Sequence, residues 1–114
     1  MLDVSNPERP VLAGQFPEDL GKLPTRIARA GNYLYATAVL PEASGYEKAL
    51  FIYDISQPKA PVLKSRLSLV RKTETPAEVA SPQIAIDGQY VYIMLTNERA
   101  FVVVDVKNPS QPSI

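Results

Sequence analysis

DVSNPERP at residues 3–10, DISQPKAP at residues 54–61 and DVKNPSQP at residues 105–112 are one element written three times, 51 residues apart at each step. Self-similarity at a fixed period of this length is the mark of a repeat architecture, and it outranks any local reading of secondary structure. Two further elements recur in the same order between the copies. IARAGNYLYAT (27–37) matches IAIDGQYVYIM (84–94), with Gly31 facing Gly88, Tyr33 facing Tyr90 and Tyr35 facing Tyr92. ALFIYDI (49–55) matches AFVVVDV (100–106), each running directly into the Asp and Pro element.

The spacing inside the two periods varies in a compensating way. From Pro7 to Gly31 is 24 residues and from Pro58 to Gly88 is 30, whereas Gly31 to Asp54 is 23 and Gly88 to Asp105 is 17. Length gained in one connection is lost in another, as connections tolerate and strands do not.

Each period reads as four strands, A to D. Residues 26–30 and 83–86 are short and end on Gly-Asn or Asp-Gly-Gln, which is hairpin chemistry because Gly, Asn and Asp accept positive φ. Residues 33–38 and 90–95 follow with Tyr at alternate positions, so both rings of each Tyr-x-Tyr face one side. Residues 49–55 and 100–106 are nearly continuous apolar runs, which predicts burial on both faces. Residues 11–16 and 62–69 complete the unit as strand D. No segment keeps apolar residues at the three-four spacing of a helix.

Four antiparallel strands per period of about 50 residues are the pattern of a β-propeller blade. The predicted fold is therefore all-β, an incomplete ring of one full blade and two partial ones over residues 1–114. The repeat junctions fall near 3–10, 54–61 and 105–112, with A-B-C strands at 25–55 and 82–106 and D at 11–16 and 62–69. The apolar strand, Asp, Val or Ile, two polar residues, Pro, two residues, Pro, preceded by Gly-x-Tyr-x-Tyr, resembles the LVIVD-repeat proteins. FVVVD (101–105) and FIYDI (51–55) stand where the namesake strand of that family stands. The resemblance implies a propeller, often secreted or attached to the cell envelope, whose remaining blades are partners of this chain.

Composition narrows the chemistry. The 114 residues carry 12 basic and 12 acidic side chains, so no net field draws the chain to nucleic acid or an anionic membrane. The absence of Cys and His removes disulfides, thiol nucleophiles, His-based acid and base catalysis and the usual zinc ligands. No Gly-rich phosphate loop or Gly-x-Ser-x-Gly elbow occurs, and neither cofactor nor metal is implied. The MLDV start lacks a basic and apolar leader, and the longest purely apolar run, 100–104, is far short of a membrane span. Eleven prolines are about twice the usual ~5% share. Six of them belong to the repeated element, which makes the excess architectural.

The motif residues Asp3, Pro7, Asp54, Pro58, Asp105 and Pro109 are read as a structural turn, the carboxylate accepting from backbone donors of the turn and Pro fixing φ. Tyr33, Tyr35, Tyr90 and Tyr92 are read as packing groups between blades rather than a stacking platform for sugars or bases. Arg26 and Arg29, on the innermost strand, become Gln83 and Ile86 in the second copy, so no ring of charge repeats. In a meander the A-B and C-D turns share one end of the sheet, and the longer connections 17–24, 39–48, 71–81 and 96–99 share the other. Variable loops on a rigid frame carry binding residues. The candidates there are Asp19, Lys22, Glu42, Tyr46, Lys48, Arg71, Lys72, Glu74 and Arg99.

The functional expectation is a non-catalytic scaffold segment that binds a protein or carbohydrate ligand within a larger secreted or surface protein. A fragment of a propeller enzyme, lactonase-like or quinoprotein-like, with its catalytic groups on other blades is the alternative. A partial propeller that assembles with its own copies is the second alternative.

Overall fold

A computed structural model describes residues 2–3, 11–12, 26–42, 45–57, 59–73 and 82–114. Among them the chain is all-β and contains no helix. The strands are β1 (Leu2–Asp3), β2 (Val11–Leu12), β3 (Arg26–Ala30), β4 (Tyr33–Glu42), β5 (Gly45–Asp54), β6 (Val62–Lys72), β7 (Gln83–Asp87), β8 (Tyr90–Leu95) and β9 (Ala100–Asp105). They form three antiparallel sheets, each in chain order: β1-β2, then β3-β4-β5-β6, then β7-β8-β9. The remainder of the first predicted D strand, 13–16, lies outside the described residues.

The repeat is visible as register. Asp3 pairs with Val11, Asp54 with Val62 and Asp105 with Ser113, three equivalent contacts one period apart. Asp54 Oδ1 accepts from Ser56 N at 2.8 Å, and Asp105 Oδ1 accepts from Lys107 N at 2.9 Å. The turn then closes through Ala60 N to Gln57 O and Gln111 N to Asn108 O, both 2.9 Å. Pro109 stands second in that four-residue turn, where its fixed φ is pre-set. The Asx hydrogen bonds hold the Asp54 carboxyl below its ordinary range, through the Ser56 backbone first. Pro7 and Pro58 lie outside the described residues, as does the Asp3 side chain.

The β3-β4 and β7-β8 hairpins turn on Gly31 (φ 58°) and Gly88 (φ 60°). Ala30 pairs with Tyr33 and Asp87 with Tyr90, leaving two-residue loops whose first residue is the glycine. Positive φ at that position alone is the II′ turn, which matches the twist of the flanking strands.

Nine of the ten β5 residues are buried, as its apolar run predicts for a strand covered on both faces. Leu50 and Ile52 join Tyr35, Val91, Ile93, Leu95, Val104 and Val106 in a core between the second and third sheets. Ala49, Phe51 and Tyr53 pack on the opposite face with Leu34, Ala36 and Ala38. Each fully buried large aliphatic in the inter-sheet core stabilises by about 1.5–3 kcal/mol. The β9 run departs from the same expectation: Val104 is fully buried, but Phe101 is 60% and Val103 40% exposed. No described element covers that side of the third sheet.

The expected loop at 39–48 is corrected. Those residues extend β4 to Glu42 and start β5 at Gly45, paired from Val39↔Lys48 to Glu42↔Gly45. Pro41 sits within this extension because β3 pairs with β4 only as far as Thr37, so beyond it β4 is an edge with no donor required on that side. The expected loop at 71–81 likewise begins in strand, since Arg71 and Lys72 end β6.

Candidate functional site

The β4-β5 extension is the site the structure builds. From Tyr33 to Asp54 is 21 residues, whereas from Tyr90 to Asp105, their repeat counterparts, is 15. The shorter hairpin closes at Thr96, whose carbonyl accepts from Arg99 N at 3.2 Å, with Arg99 at φ 54°. The longer hairpin therefore overhangs the neighbouring sheet by three residue pairs beyond Val39↔Lys48.

Strand alternation sends Tyr46 and Lys48 to the face that meets the third sheet. Lys48, with no exposed side-chain surface, donates from Nζ to Asn97 Oδ1 at 2.9 Å and to Glu98 Oε2 at 3.0 Å. Tyr46 donates its hydroxyl to Glu98 Oε1 at 3.0 Å, and its ring centroid lies 5.5 Å from Lys48 Nζ. Burial raises the Tyr46 pKa, and the hydrogen bond and charge of Glu98 raise it further. Both oxygens of Glu98 are thus engaged by a neighbouring sheet. A buried charge is tolerated when it is paired and hydrogen-bonded in this way.

The opposite face of the same hairpin carries Glu47, only 3% exposed. Its Oε1 pairs with Arg66 and lies 3.5 Å from the Arg71 guanidinium. Arg71 Nε reaches Glu42 Oε1 at 3.1 Å, and Arg66 stacks 5.7 Å from the Phe51 centroid. Burial pushes the Glu47 carboxyl up, but Ser68 and the charges of Arg66 and Arg71 outweigh it and hold the pKa below its ordinary value. Glu47 is therefore an ionised structural carboxylate and a poor proton donor near neutral pH.

Of the sequence candidates, Glu42, Tyr46, Lys48 and Arg71 come together here, on strands rather than loops. Lys72 pairs with Tyr46 at the end of β6, and Arg99 is exposed in the short turn. Asp19, Lys22 and Glu74 lie outside the described residues. Glu47, Arg66, Asn97 and Glu98 are the members that sequence reading missed. The six-residue difference between the two hairpins was a usable signal, since it implies that one overhangs the other.

Two more polar contacts join the second and third sheets. Thr37 Oγ1 donates to Pro82 O at 2.8 Å, and Ser65 Oγ to Pro109 O at 2.6 Å. Tyr35, 4% exposed, packs between the sheets with Tyr33 beside it. On the outer face of the third sheet Tyr92 stacks on Phe101 with centroids 6.1 Å apart, and Tyr90 is 42% exposed. Arg26, Ile27, Gln83 and Ile84, from β3 and β7, the first strands of the second and third sheets, line an open depression of about 270 Å³.

Comparison with known families matches the model described as LVIVD repeat to residues 1–17, 44–68 and 80–114, more than half of the chain. No curated protein and no solved structure matches.

Proposed function

The chain belongs to the LVIVD-repeat family, and from that premise we propose that it is a non-catalytic run of β-propeller blades serving as a scaffold. In this reading the second sheet is a complete blade, the first and third are partial ones, and further blades of a larger secreted or surface protein complete the ring. The overhanging hairpin presents Glu42, Arg71 and Lys72 toward a protein or carbohydrate ligand. Its other charges support the role of a frame: Lys48 with Glu98 and Arg66 with Glu47 neutralise one another.

The observation that carries the reading is the outer face of the third sheet. Tyr92, Phe101 and Val103 occupy the repeat positions of Tyr35, Leu50 and Ile52, which are 4%, 0% and 0% exposed beneath a neighbouring sheet. Apolar faces of a repeat unit are buried by the next unit.

The chain contains no Trp, so Phe101→Trp gives a single reporter. Appending residues 64–114 after Ile114 adds one further period in register, because Ile114 is the counterpart of Leu63. Indole emission from position 101 should be red-shifted and readily quenched by acrylamide in the 114-residue chain. In the extended chain, with the reporter in the first copy only, it should shift to the blue and resist quenching. Unchanged emission would show that the face does not accept a sheet of its own repeat, and would remove the scaffold reading.

A further inference from the structure

Among the described residues, the contact between Lys48 and the Asn97-Glu98 turn is the one polar link between the second and third sheets in which a fully buried charge is neutralised from across the interface. Repeat register shows where its counterpart on the outer face stands. Ala49 pairs with Ala38 and Lys48 with Val39, while Ala100 pairs with Leu95 and Arg99 closes the turn on Thr96. Arg99 therefore holds the position of Lys48, one residue before β9 as Lys48 is one residue before Ala49. It keeps the positive charge. Unlike Lys48 it is exposed, and its guanidinium makes no ion pair among the described residues.

We propose that Arg99 is the receiving half of a second clasp: the sheet that covers Tyr92 and Phe101 bears a carboxylate in its B-C hairpin turn, and that carboxylate pairs with Arg99. The occupant is one further sheet of the same repeat, with an acidic turn in the place of Glu98. Two features of the established interface carry over to the outer face. The apolar positions recur, and a cation recurs at the repeat position that directly precedes β9. A guanidinium suits the role, since its planar fork binds a carboxylate through two parallel hydrogen bonds. Desolvation beneath a covering sheet would make an unpaired Arg99 costly, so a sheet without the carboxylate is disfavoured as well as less attracted.

The inference rests on the stacking reading, and the same extended chain separates the two. There the first Arg99 faces the Glu98 of the appended period. Arg99→Glu in the first period should lower the urea midpoint read from the Phe101→Trp reporter, and Glu98→Arg in the appended period should restore it. The two changes should be coupled by at least tenfold in the equilibrium constant. In the 114-residue chain Arg99→Glu should leave the unfolding midpoint, followed by circular dichroism, unchanged. If the reporter is buried but the two substitutions act additively, the clasp is wrong and stacking stands. If the reporter remains exposed, both fall.

Discussion

Glu98→Leu is the most informative single change in the described structure, because it leaves the Lys48 ammonium with no counter-ion. At an N to O separation of 3.0 Å, two unit charges attract by about 5.5 kcal/mol at an effective dielectric constant of 20. Desolvation of both groups offsets much of that in the intact protein, so the pair itself contributes little net stability. Its interruption is a different matter: breaking a buried pair from one side typically costs about 3–5 kcal/mol, because the remaining charge is uncompensated. Tyr46 loses its acceptor in the same step. The expected loss is therefore about 3–5 kcal/mol, measured by urea unfolding followed by circular dichroism, with Glu98→Gln less severe because the amide oxygen still accepts from Lys48. Removing both charges, as in Lys48→Met with Glu98→Leu, should recover most of the loss. A loss below about 1 kcal/mol for Glu98→Leu would refute the argument, since surface ion pairs fall in that range.

Two other perturbations test the same hairpin. Gly45 sits at φ 106°, and a Cβ there would lie 1.8 Å from the Lys72 carbonyl oxygen; Gly45→Ala should destabilise by about 2–5 kcal/mol through backbone strain and overpacking. Gly31→Ala is the control, since its Cβ would meet nothing and strain alone costs about 1–2 kcal/mol. For pH, the folded Glu47 carboxyl binds its proton less tightly than in the unfolded chain. Its stabilisation is therefore present above the unfolded pKa of about 4.3 and lost as pH falls through the lower folded value. Urea midpoints measured between about pH 7 and pH 3 should fall at the acid end, and Glu47→Gln should flatten that fall; an identical slope in both proteins would rule Glu47 out as its source.

The turns and strand order were legible because their causes are local. An Asp whose carboxylate accepts from the backbone two residues on, and a Gly opening a two-residue hairpin, need nothing outside their own few residues. The packing role of Tyr33 and Tyr35 followed from alternation along one strand. The overhang was not legible, and the reason is physical. VLPEASGYEK (39–48) contains Pro, Gly, two Glu and a Lys, the composition of a loop. It forms strand because Glu47 and Lys48 are neutralised by Arg66 and Glu98, residues 19 and 50 positions away. Such partners leave no trace in a local window.

The same contrast bears on how repeated sheets choose their neighbours. Apolar burial between the second and third sheets is non-directional and would tolerate sliding of one sheet on the other. The cross-links at Thr37, Ser65 and Lys48 tie the interface at separate points, and a shift in register would leave Thr37 with only its longer, 3.5 Å contact to Arg26 O and Lys48 buried without a counter-ion. Buried polar groups cost most when a partner is missing, so these contacts penalise wrong docking more than they reward correct docking. On the outer face of the third sheet the counterpart of Thr37 is Met94, which cannot donate, whereas the counterpart of Lys48 is Arg99. A neighbour suited to the second sheet is therefore not equally suited to the third. The two sheets share one apolar pattern but differ in the polar groups that a covering sheet would have to satisfy, and in the proposed stack that difference would favour one order of units over another.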